Sequence, residues 1–422
     1  MAKKWNKEAL ISTAAERMRS QALTNSQIQS PEDLLAWMGP MQSQDLTMSL
    51  WAIGCRITGI SETEVLESLR KGSILRTHIM RPTWHLVRAE DFLWINRISS
   101  KRIRDSMHGR LKQLEITPTV TKKAFGIIEE SLRNQDYIAR HSLLEMWEAA
   151  GIRTGENRAA HLLMLAELEE LITSGPPEKG NSTYSLLAKR LATHAGNTLP
   201  SLEEAQARLA RIYLQSHGPA SHRDFAWWSG ITLNDARNAF AACDDAIVFA
   251  RLEGKDSGME DYFSLQASGG AFAVSKAAQA AQEVDRKPSA GNANQKNLKK
   301  SDKPKKSDKP EKTKRSDKSK ESRSDAFHLL PAFDEFLIAY ANRRPSLEAE
   351  WESRVMTKNG IFRPTLMRDG AVKGIWKRTL KKDQVLVELE PFQKLSSDEY
   401  RAIQIACERL GEFLGKKADL NV

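Results

Sequence analysis

Hydrophobic residues recur at helical spacing through much of the chain before residue 266, and short alternating stretches interrupt them. Residues 7–21 have the helical spacing, and Ser30-Pro31 and Ser61–Glu64 are typical of helix starts, the second as a capping box. Two extended stretches, 74–80 and 83–87, follow. Three helices followed by a strand pair are the layout of a winged helix.

The same layout of helices followed by short strands recurs twice more. In both repeats a Gly-Ile turn, at Gly151 and Gly230, separates two helices, and glycine supplies the positive φ that a tight bend needs. The predicted helices span residues 138–150, 157–172, 202–215, 222–229 and 233–240, and the predicted strands span residues 182–186, 246–251 and 261–265.

A compact α/β piece is predicted at the end of the chain. Its apolar entry, Phe327–Phe333, predicts packing against the N-terminal part. Asp369-Gly370 predicts a hairpin turn within residues 364–376. Residues 385–389 alternate like a strand, and residues 397–414 predict a helix that Gly415 ends.

These patterns predict a mainly α fold of the α+β class, with tandem winged-helix units and a β-containing C-terminal subdomain. The predicted boundaries are 1–96 for the first winged helix, 97–200 for the second, 201–266 for the third, 267–325 for a disordered linker and 326–422 for the C-terminal subdomain.

Charge is concentrated in the predicted linker. The 422-residue chain has a net charge of +10, yet Arg286 to Asp325 alone carry 15 Lys and Arg against 6 Asp and Glu. The rest of the chain is nearly balanced, so the global charge is a poor argument for nucleic-acid binding. Repeated Ser-Asp-Lys triplets and few large apolar residues predict disorder, either as a solvated spacer or as an arm that holds DNA non-specifically.

Several protein classes are excluded by sequence features. No run of about 18 apolar residues predicts a membrane span, and the polar start does not resemble a secretory signal. Three distant cysteines predict neither a disulfide framework nor a metal knuckle, which fits a reducing, cytoplasmic location. Phosphate-loop, dinucleotide, metalloprotease and hydrolase motifs are missing, and nine scattered histidines predict no metal site.

A polar cluster follows the second predicted helix. Gln42, Ser43, Gln44 and Asp45 lie between apolar segments, where a core-facing turn is expected. A buried polar turn satisfied by backbone groups is one interpretation. A catalytic cluster is the other.

A second cluster lies on the predicted strand pair. Alternate strand residues share a face, so Arg76 and His78 are expected to point one way and Thr77 and Arg81 the other. We predict that Arg76, His78 and Arg81 contact DNA. The alternative for the arginines is an ion pair with Glu90 or Asp91, and the following Trp84 and His85 read as packing residues.

Four segments together resemble the winged-helix DNA-binding family that includes the AlkZ-type DNA glycosylases. The segments are residues 42–45, 75–87, 330–337 and 359–365. The resemblance implies tandem winged helices in a C-shaped arrangement, with removal of alkylated purines and, in some members, unhooking of interstrand crosslinks. The family's Gln-aliphatic-Gln motif maps onto Gln42 and Gln44, with Ser43 in place of the aliphatic residue. Asp334-Glu335 matches a further family segment, where we expect chiefly that the pair caps and orients the following strand.

The chemistry can also be argued from the residues. An N7- or N3-alkylated purine is cationic and leaves without protonation, so an enzyme chiefly needs to hold a water near C1′. Gln42 and Gln44 cannot act as bases near neutral pH, but their amides can orient that water. Asp45 is expected to add negative charge or act as the base, and its alternative is the N-cap of the next helix.

Further basic residues are candidates for contacts with the DNA backbone. Arg97, Lys101 and Arg104 share one face of a predicted helix, and a solvated charged face is the alternative. Arg363 precedes the predicted hairpin, with a surface ion pair as its alternative.

The sequence therefore predicts a DNA glycosylase, an enzyme that acts on double-stranded DNA. It is expected to be monomeric and monofunctional, because the motif contains no lysine for a Schiff base. No cofactor and no metal are predicted. The alternative is a non-enzymatic winged-helix DNA-binding protein such as a transcription regulator, although no dimerisation helix with sustained heptads is evident.

Overall fold

The computed structural model describes residues 7–178, 181–192, 199–253, 258–265 and 326–421. About half of these residues are helical, and the strands form four sheets, so the fold is α+β rather than mainly α. The predicted linker, 267–325, lies outside the described residues.

The first unit (residues 7–88) ends in a three-stranded sheet of order β1-β3-β2. Ser30 caps α2 and Ser61 forms the full capping box of α4, as the sequence predicts. Its elements are α1 (Lys7–Ser20), α2 (Pro31–Met38), β1 (Met41–Gln42), α3 (Leu46–Gly54), α4 (Glu62–Lys71), β2 (Ile74–His78) and β3 (Trp84–Arg88).

A 25-residue helix, α5 (Ala89–Gln113), leads into the second unit (residues 118–190). That unit repeats the topology of the first, with a sheet of order β4-β6-β5. Its elements are α6 (Pro118–Leu132), β4 (Ile138–Ala139), α7 (Arg140–Ala149), α8 (Arg158–Leu168), β5 (Ile172–Ser174), β6 (Thr183–Leu186) and α9 (Leu187–Arg190).

The third unit (residues 202–265) has the same order of elements. A single antiparallel bridge between Ala220 and Phe263 stands where the other units have their first short strand. Its elements are α10 (Leu202–His217), α11 (His222–Ser229), α12 (Leu233–Ala241), β7 (Ala246–Glu253) and β8 (Met259–Leu265).

The C-terminal part (residues 326–421) contains a five-stranded sheet of order β13-β12-β11-β10-β9. Only the β12–β13 pairing is parallel. The predicted hairpin is β10–β11, with Asp369 and Gly370 both at positive φ in its turn. The elements are β9 (Phe327–Leu330), α13 (Glu335–Ile338), a 3-10 turn (Ala349–Trp351), α14 (Glu352–Val355), β10 (Thr365–Arg368), β11 (Ala371–Leu380), β12 (Gln384–Pro391), α15 (Ser397–Leu414) and β13 (Lys417–Asn421).

Two predicted helices are too long. Residues 138–139 are strand β4 rather than the start of a helix, because β6 pairs with them. Ile172 opens strand β5, so the helix predicted to reach it ends at Leu168. Asp334 caps a short helix and not a strand. In each case pairing or capping within the tertiary structure overrides the local pattern.

The C-terminal part shares a core with the first unit. One cluster of buried apolar side chains joins residues 18–86 to residues 327–413. Trp51 donates its indole N–H to the Leu329 carbonyl at 2.7 Å across this core. The predicted packing of the C-terminal part on the N-terminal part is therefore confirmed.

Candidate active site

Gln42 lies in β1, the short edge strand that pairs with β3. It stands opposite His85, and its side chain is almost entirely buried. Its backbone N–H donates to Oε1 of Glu335 at 2.6 Å. A carboxylate 293 residues away in the chain thus holds the backbone of the motif.

The Gln42 side chain is fixed by Arg81. Nη2 of Arg81 donates to Oε1 of Gln42 at 2.7 Å. A guanidinium has only donors, so the amide oxygen must face Arg81 and the amide nitrogen must face away. The orientation of this amide is therefore set by its partner.

Gln44 is exposed beside the start of β3. Its Oε1 accepts the backbone N–H of Trp84 at 3.1 Å. A backbone N–H is also only a donor, so the Gln44 amide nitrogen is likewise free to face a ligand. Within a turn of three residues, two amide groups are oriented by donors from the start of β3 and from the connection between β2 and β3.

Ser43 is completely buried between the two glutamines. Its N–H donates to the Trp84 carbonyl at 2.7 Å, and its hydroxyl lies 2.7 Å from the Ser49 hydroxyl. Arg76 donates to both the Ser43 hydroxyl (3.1 Å) and the Ser43 carbonyl (2.8 Å). The serine that departs from the family motif is thus satisfied in the core by a serine and an arginine.

Asp45 is the N-cap of α3. Its Oδ1 accepts the Met48 N–H at 3.1 Å and the Thr47 hydroxyl at 2.8 Å. This is the capping role that the sequence offered as the alternative. The carboxylate is exposed, so its catalytic role stays a prediction.

The Glu335 side chain packs beneath Gln42, whose backbone N–H it accepts. Its Oε2 accepts the Trp228 indole N–H at 2.9 Å, and Nε2 of His217 lies 3.5 Å away. Burial raises the pKa of Glu335, but His217 and the Gln42 N–H outweigh it, so the pKa lies below its ordinary value. The group under Gln42 is therefore a carboxylate anion.

His85 lies beside this carboxylate and is fully buried. Its Nδ1 is 2.9 Å from the Thr83 carbonyl, which makes Nδ1 the protonated nitrogen. Burial, with Arg81 nearby, lowers the pKa of His85 to about 3. The imidazole is thus neutral at physiological pH, in agreement with the predicted packing role.

Arg76 and His78 lie on the other face of the sheet, as predicted. Arg76 stacks on Trp84, 4.3 Å from the ring centre, in addition to holding Ser43. Nδ1 of His78 contacts the buried carboxylate of Glu167, which comes from the second unit. Neither arginine of the cluster pairs with Glu90 or Asp91. Arg88 takes both of those carboxylates instead.

The other residues predicted to contact DNA bond to partners other than the two glutamines. On α5, Arg97 donates to the Pro200 carbonyl, Lys101 pairs with Asp105 and Arg104 pairs with Glu169. Arg363 is exposed, and within the described residues its guanidinium makes no hydrogen bond or ion pair. The structure thus brings Gln42, Gln44, Arg76, His78 and Arg81 around one sheet. Asp45 follows Gln44 directly, whereas Arg97, Lys101, Arg104 and Arg363 form no side-chain hydrogen bond or ion pair with these residues in the described part of the chain.

A family model described as DNA glycosylase AlkZ-like matches residues 35–413. The chain belongs to this family. The DNA glycosylase AlkZ of Streptomyces sahachiroi has a similar structure, with a TM-score of 0.66 and 17% sequence identity over 98% of this chain and 99% of that chain. At that identity the likeness shows a shared fold. No curated protein matches the chain.

In this AlkZ-like fold, two acidic residues that the sequence analysis did not assign to the site contact residues of the site. Glu335 was expected only to cap, and Glu167 was not singled out. Two adjacent acids inside the apolar run Leu329–Ile338 were the available signal for Glu335, because a buried carboxylate requires a partner. Glu167 ends an apolar helix and had no comparable signal.

No group of three or more potential metal-binding side chains occurs within the part of the AlkZ-like chain that the structure describes. In the same residues, no helix has the length and the apolar composition needed to cross a lipid bilayer. Cys55, Cys243 and Cys407 are all buried and unpaired.

Proposed function

We propose that this AlkZ-like protein is a monofunctional DNA glycosylase that removes purines alkylated at N7 or N3. Such a base carries a positive charge and leaves the sugar without being protonated. The difficult part of the reaction is then to place a water at C1′ and to stabilise the sugar cation that develops.

Two oriented amides at Gln42 and Gln44 are the observation that carries the proposal. Each amide oxygen already accepts one hydrogen bond, from Arg81 or from the Trp84 N–H, and each retains a second lone pair for a water hydrogen. The amide nitrogens are available to hold a sugar or phosphate oxygen. Positioning of this kind requires no group that titrates near neutral pH.

Negative charge next to the site supports the same chemistry. The Asp45 carboxylate is exposed one residue after Gln44, and Glu335 is an anion below Gln42. Both favour a cationic sugar over a neutral one. Asp45 additionally has the exposure that a general base needs.

The three repeated units are proposed to be winged helices that hold duplex DNA. All three have the order helix, strand or bridge, two helices and two strands, which is the winged-helix topology. Arg97, Lys101, Arg104 and Arg363 are the proposed backbone contacts. The protein is proposed to act as a monomer without a cofactor.

Crosslinked duplexes are a second proposed substrate class. A purine whose N7 carries one end of an interstrand crosslink is also cationic, so cleavage of its glycosidic bond follows the same chemistry. A site that does not enclose the base is required for such a substrate, and the exposure of Gln44 supports this proposal.

The decisive experiment uses duplex DNA with one N7-methylguanine. Abasic sites are quantified by alkaline cleavage after incubation with the wild type, with Gln44→Ala and with the matched surface variant Gln135→Ala. We expect release by the wild type and by Gln135→Ala, and loss of release in Gln44→Ala.

Two other outcomes are informative. Release that persists in Gln44→Ala would remove the glutamine from the mechanism. Duplex binding without release from N7-methylguanine or from a crosslinked duplex would favour the DNA-binding regulator over the enzyme.

A further inference from the structure

We propose that Arg81 is a positioning residue for base excision, which acts by holding the Gln42 amide rather than by contacting DNA phosphates. The inference rests on the proposed function. It changes the role that the sequence assigned to Arg81.

The contacts of Arg81 favour this assignment. Among the described residues, the hydrogen bond from Nη2 to Oε1 of Gln42 is its only one through the side chain, and it makes no ion pair. Its Nε is buried without a partner. Arg81 is half-buried; burial lowers its pKa and the nearby Glu335 carboxylate raises it, but the two groups form no ion pair within the described residues. The Gln42 amide is therefore the contact that accounts for the position of the guanidinium.

Arg81 also determines which atoms of the Gln42 amide are available to a ligand. Without a donor at this position, the amide could rotate by 180° and exchange its oxygen and nitrogen at little cost. With Arg81 in place, the nitrogen faces away from the guanidinium, and the oxygen keeps one lone pair in a fixed direction. The arginine therefore converts a freely rotating amide into an oriented one.

The backbone that carries Arg81 is itself constrained. Met80 has φ +62°, and two tight turns follow, in which Arg81 N–H donates to the Ile79 carbonyl (2.7 Å) and Thr83 N–H donates to the Arg81 carbonyl (2.6 Å). Gly230 from the third unit packs against the same turn. A Cβ on Gly230 would lie 2.5 Å from the Met80 carbonyl oxygen. A turn held in this way places the arginine with little freedom.

A double-mutant cycle tests the proposal. The single-turnover excision rate on N7-methylguanine duplex and the Kd for that duplex are measured for the wild type, Gln42→Ala, Arg81→Met and the double variant. We expect Arg81→Met to lower the rate by about 100-fold with little change in Kd. In the Gln42→Ala background, Arg81→Met should change the rate less than about twofold, because its target is gone.

Two further variants separate positioning from packing. Arg81→Lys keeps one donor and should recover part of the rate. Arg190→Met removes another partly buried arginine, which donates to the backbone carbonyls of Leu69 and Arg70, and its effect should combine additively with Gln42→Ala. If Arg81→Met does not fold, the same cycle is run with Arg81→Lys.

Additive rate losses for Arg81→Met and Gln42→Ala would overturn the assignment. So would a raised Kd with a salt dependence reduced by about one unit of slope, since that marks a phosphate contact. An inactive wild type that still binds the duplex would defeat the proposed function and this inference together, whereas additivity in an active wild type defeats the inference alone.

Discussion

The Arg56 guanidinium and the Asp334 carboxylate meet in a two-point ion pair, at 2.8 and 2.9 Å, in the core between the first unit and the C-terminal part. Both side chains are almost completely buried. Burial alone would lower the pKa of Arg56, but Asp334 outweighs it, and the pKa lies above its ordinary value. The pair thus joins two distant segments of the chain as charged groups.

Removal of one partner of this pair should strongly destabilise the protein. Arg56→Met leaves a buried carboxylate without its counter-charge, and we expect a loss of about 3–5 kcal/mol. Combining Arg56→Met with Asp334→Asn should cost less than the sum of the single changes, because no unpaired charge remains. Urea unfolding of the three variants measures both effects, and strict additivity would contradict the coupling.

Ser43→Ala should destabilise the protein modestly. The change removes the hydroxyl that lies between Ser49 and Arg76, and a buried donor left without its partner costs about 1–3 kcal/mol. Ser131→Ala on α6 removes a half-buried hydroxyl that bonds the Ile127 carbonyl of the preceding turn and the Met146 sulfur, with no buried charged partner, so it should cost less. Thermal unfolding compares the two, and equal losses would show that the Ser43 hydroxyl has no special role.

Gly230→Ala should lower the excision rate, and Gly59→Ala should not. Both glycines have a positive φ, +76° and +79°, so both substitutions strain the backbone by about 1–2 kcal/mol. Only at Gly230 does the added Cβ meet another part of the chain, the Met80 carbonyl next to Arg81. Rates measured at equal folded fractions isolate this contact. Equal rates in the two variants would show that the turn tolerates displacement.

Stability should fall as the pH drops from about 6.5 towards 4. Burial lowers the pKa of His85 to about 3 and that of His328 to about 4, whereas both titrate near pH 6.5 when unfolded. Between these pH values the unfolded chain binds more protons than the folded chain, so acid favours unfolding. Each histidine lowers the free energy of unfolding by at most about 1.4 kcal/mol per pH unit.

The urea midpoint measured from pH 7 to pH 4.5 tests this dependence. His85→Asn keeps a donor for the Thr83 carbonyl but does not titrate in this range, so its slope should be shallower. The exposed His141→Asn is the matched control and should retain the wild-type slope. A wild-type midpoint that does not change with pH would contradict the buried neutral state of both histidines.

Arg363 should contribute more to DNA affinity than Arg104. Arg363 is exposed and makes no ion pair within the described residues, whereas Arg104 lies 2.9 Å from the Glu169 carboxylate. A free cation releases counterions when it meets a phosphate, so Arg363→Ala should reduce the salt slope of binding by about one. Arg104→Ala should reduce it less. Fluorescence anisotropy at several salt concentrations measures both slopes, and a larger loss for Arg104→Ala would reverse the ranking.

Local signals in the sequence located most of the elements. Ser61 and Glu64 fix the start of α4 because the cap lies within four residues, and the helix at 397–414 was placed to the residue with Gly415 after it. Ile138 was misplaced because its strand partner, Tyr184, lies far along the chain. Elements that depend on pairing with a distant strand have no signal in the local sequence.

In the candidate site, too, local features could be predicted from the sequence and long-range contacts could not. Gln42 and Gln44 could be singled out from the sequence, because polar residues stood where a core-facing turn was expected, and Arg81 because it belongs to a polar cluster on the predicted strand pair. Their connections could not be, since the Arg81–Gln42 bond joins residues 39 positions apart within the first unit, and the support by Glu335 exists only once the C-terminal part packs on that unit. Arg81 was therefore assigned to DNA when its observed partner is an amide.

The shared core has a consequence for how the protein is made. Arg56 and Asp334 are separated by 278 residues, and Trp51 and Leu329 by the same distance. A ribosome adding about 5–20 residues per second requires roughly 15–60 s to produce the chain between them. Throughout that time the apolar face of α3 that carries Trp51 has been synthesised and its cover has not. The newly made N-terminal part is thus an expected client for chaperones until the last quarter of the chain emerges.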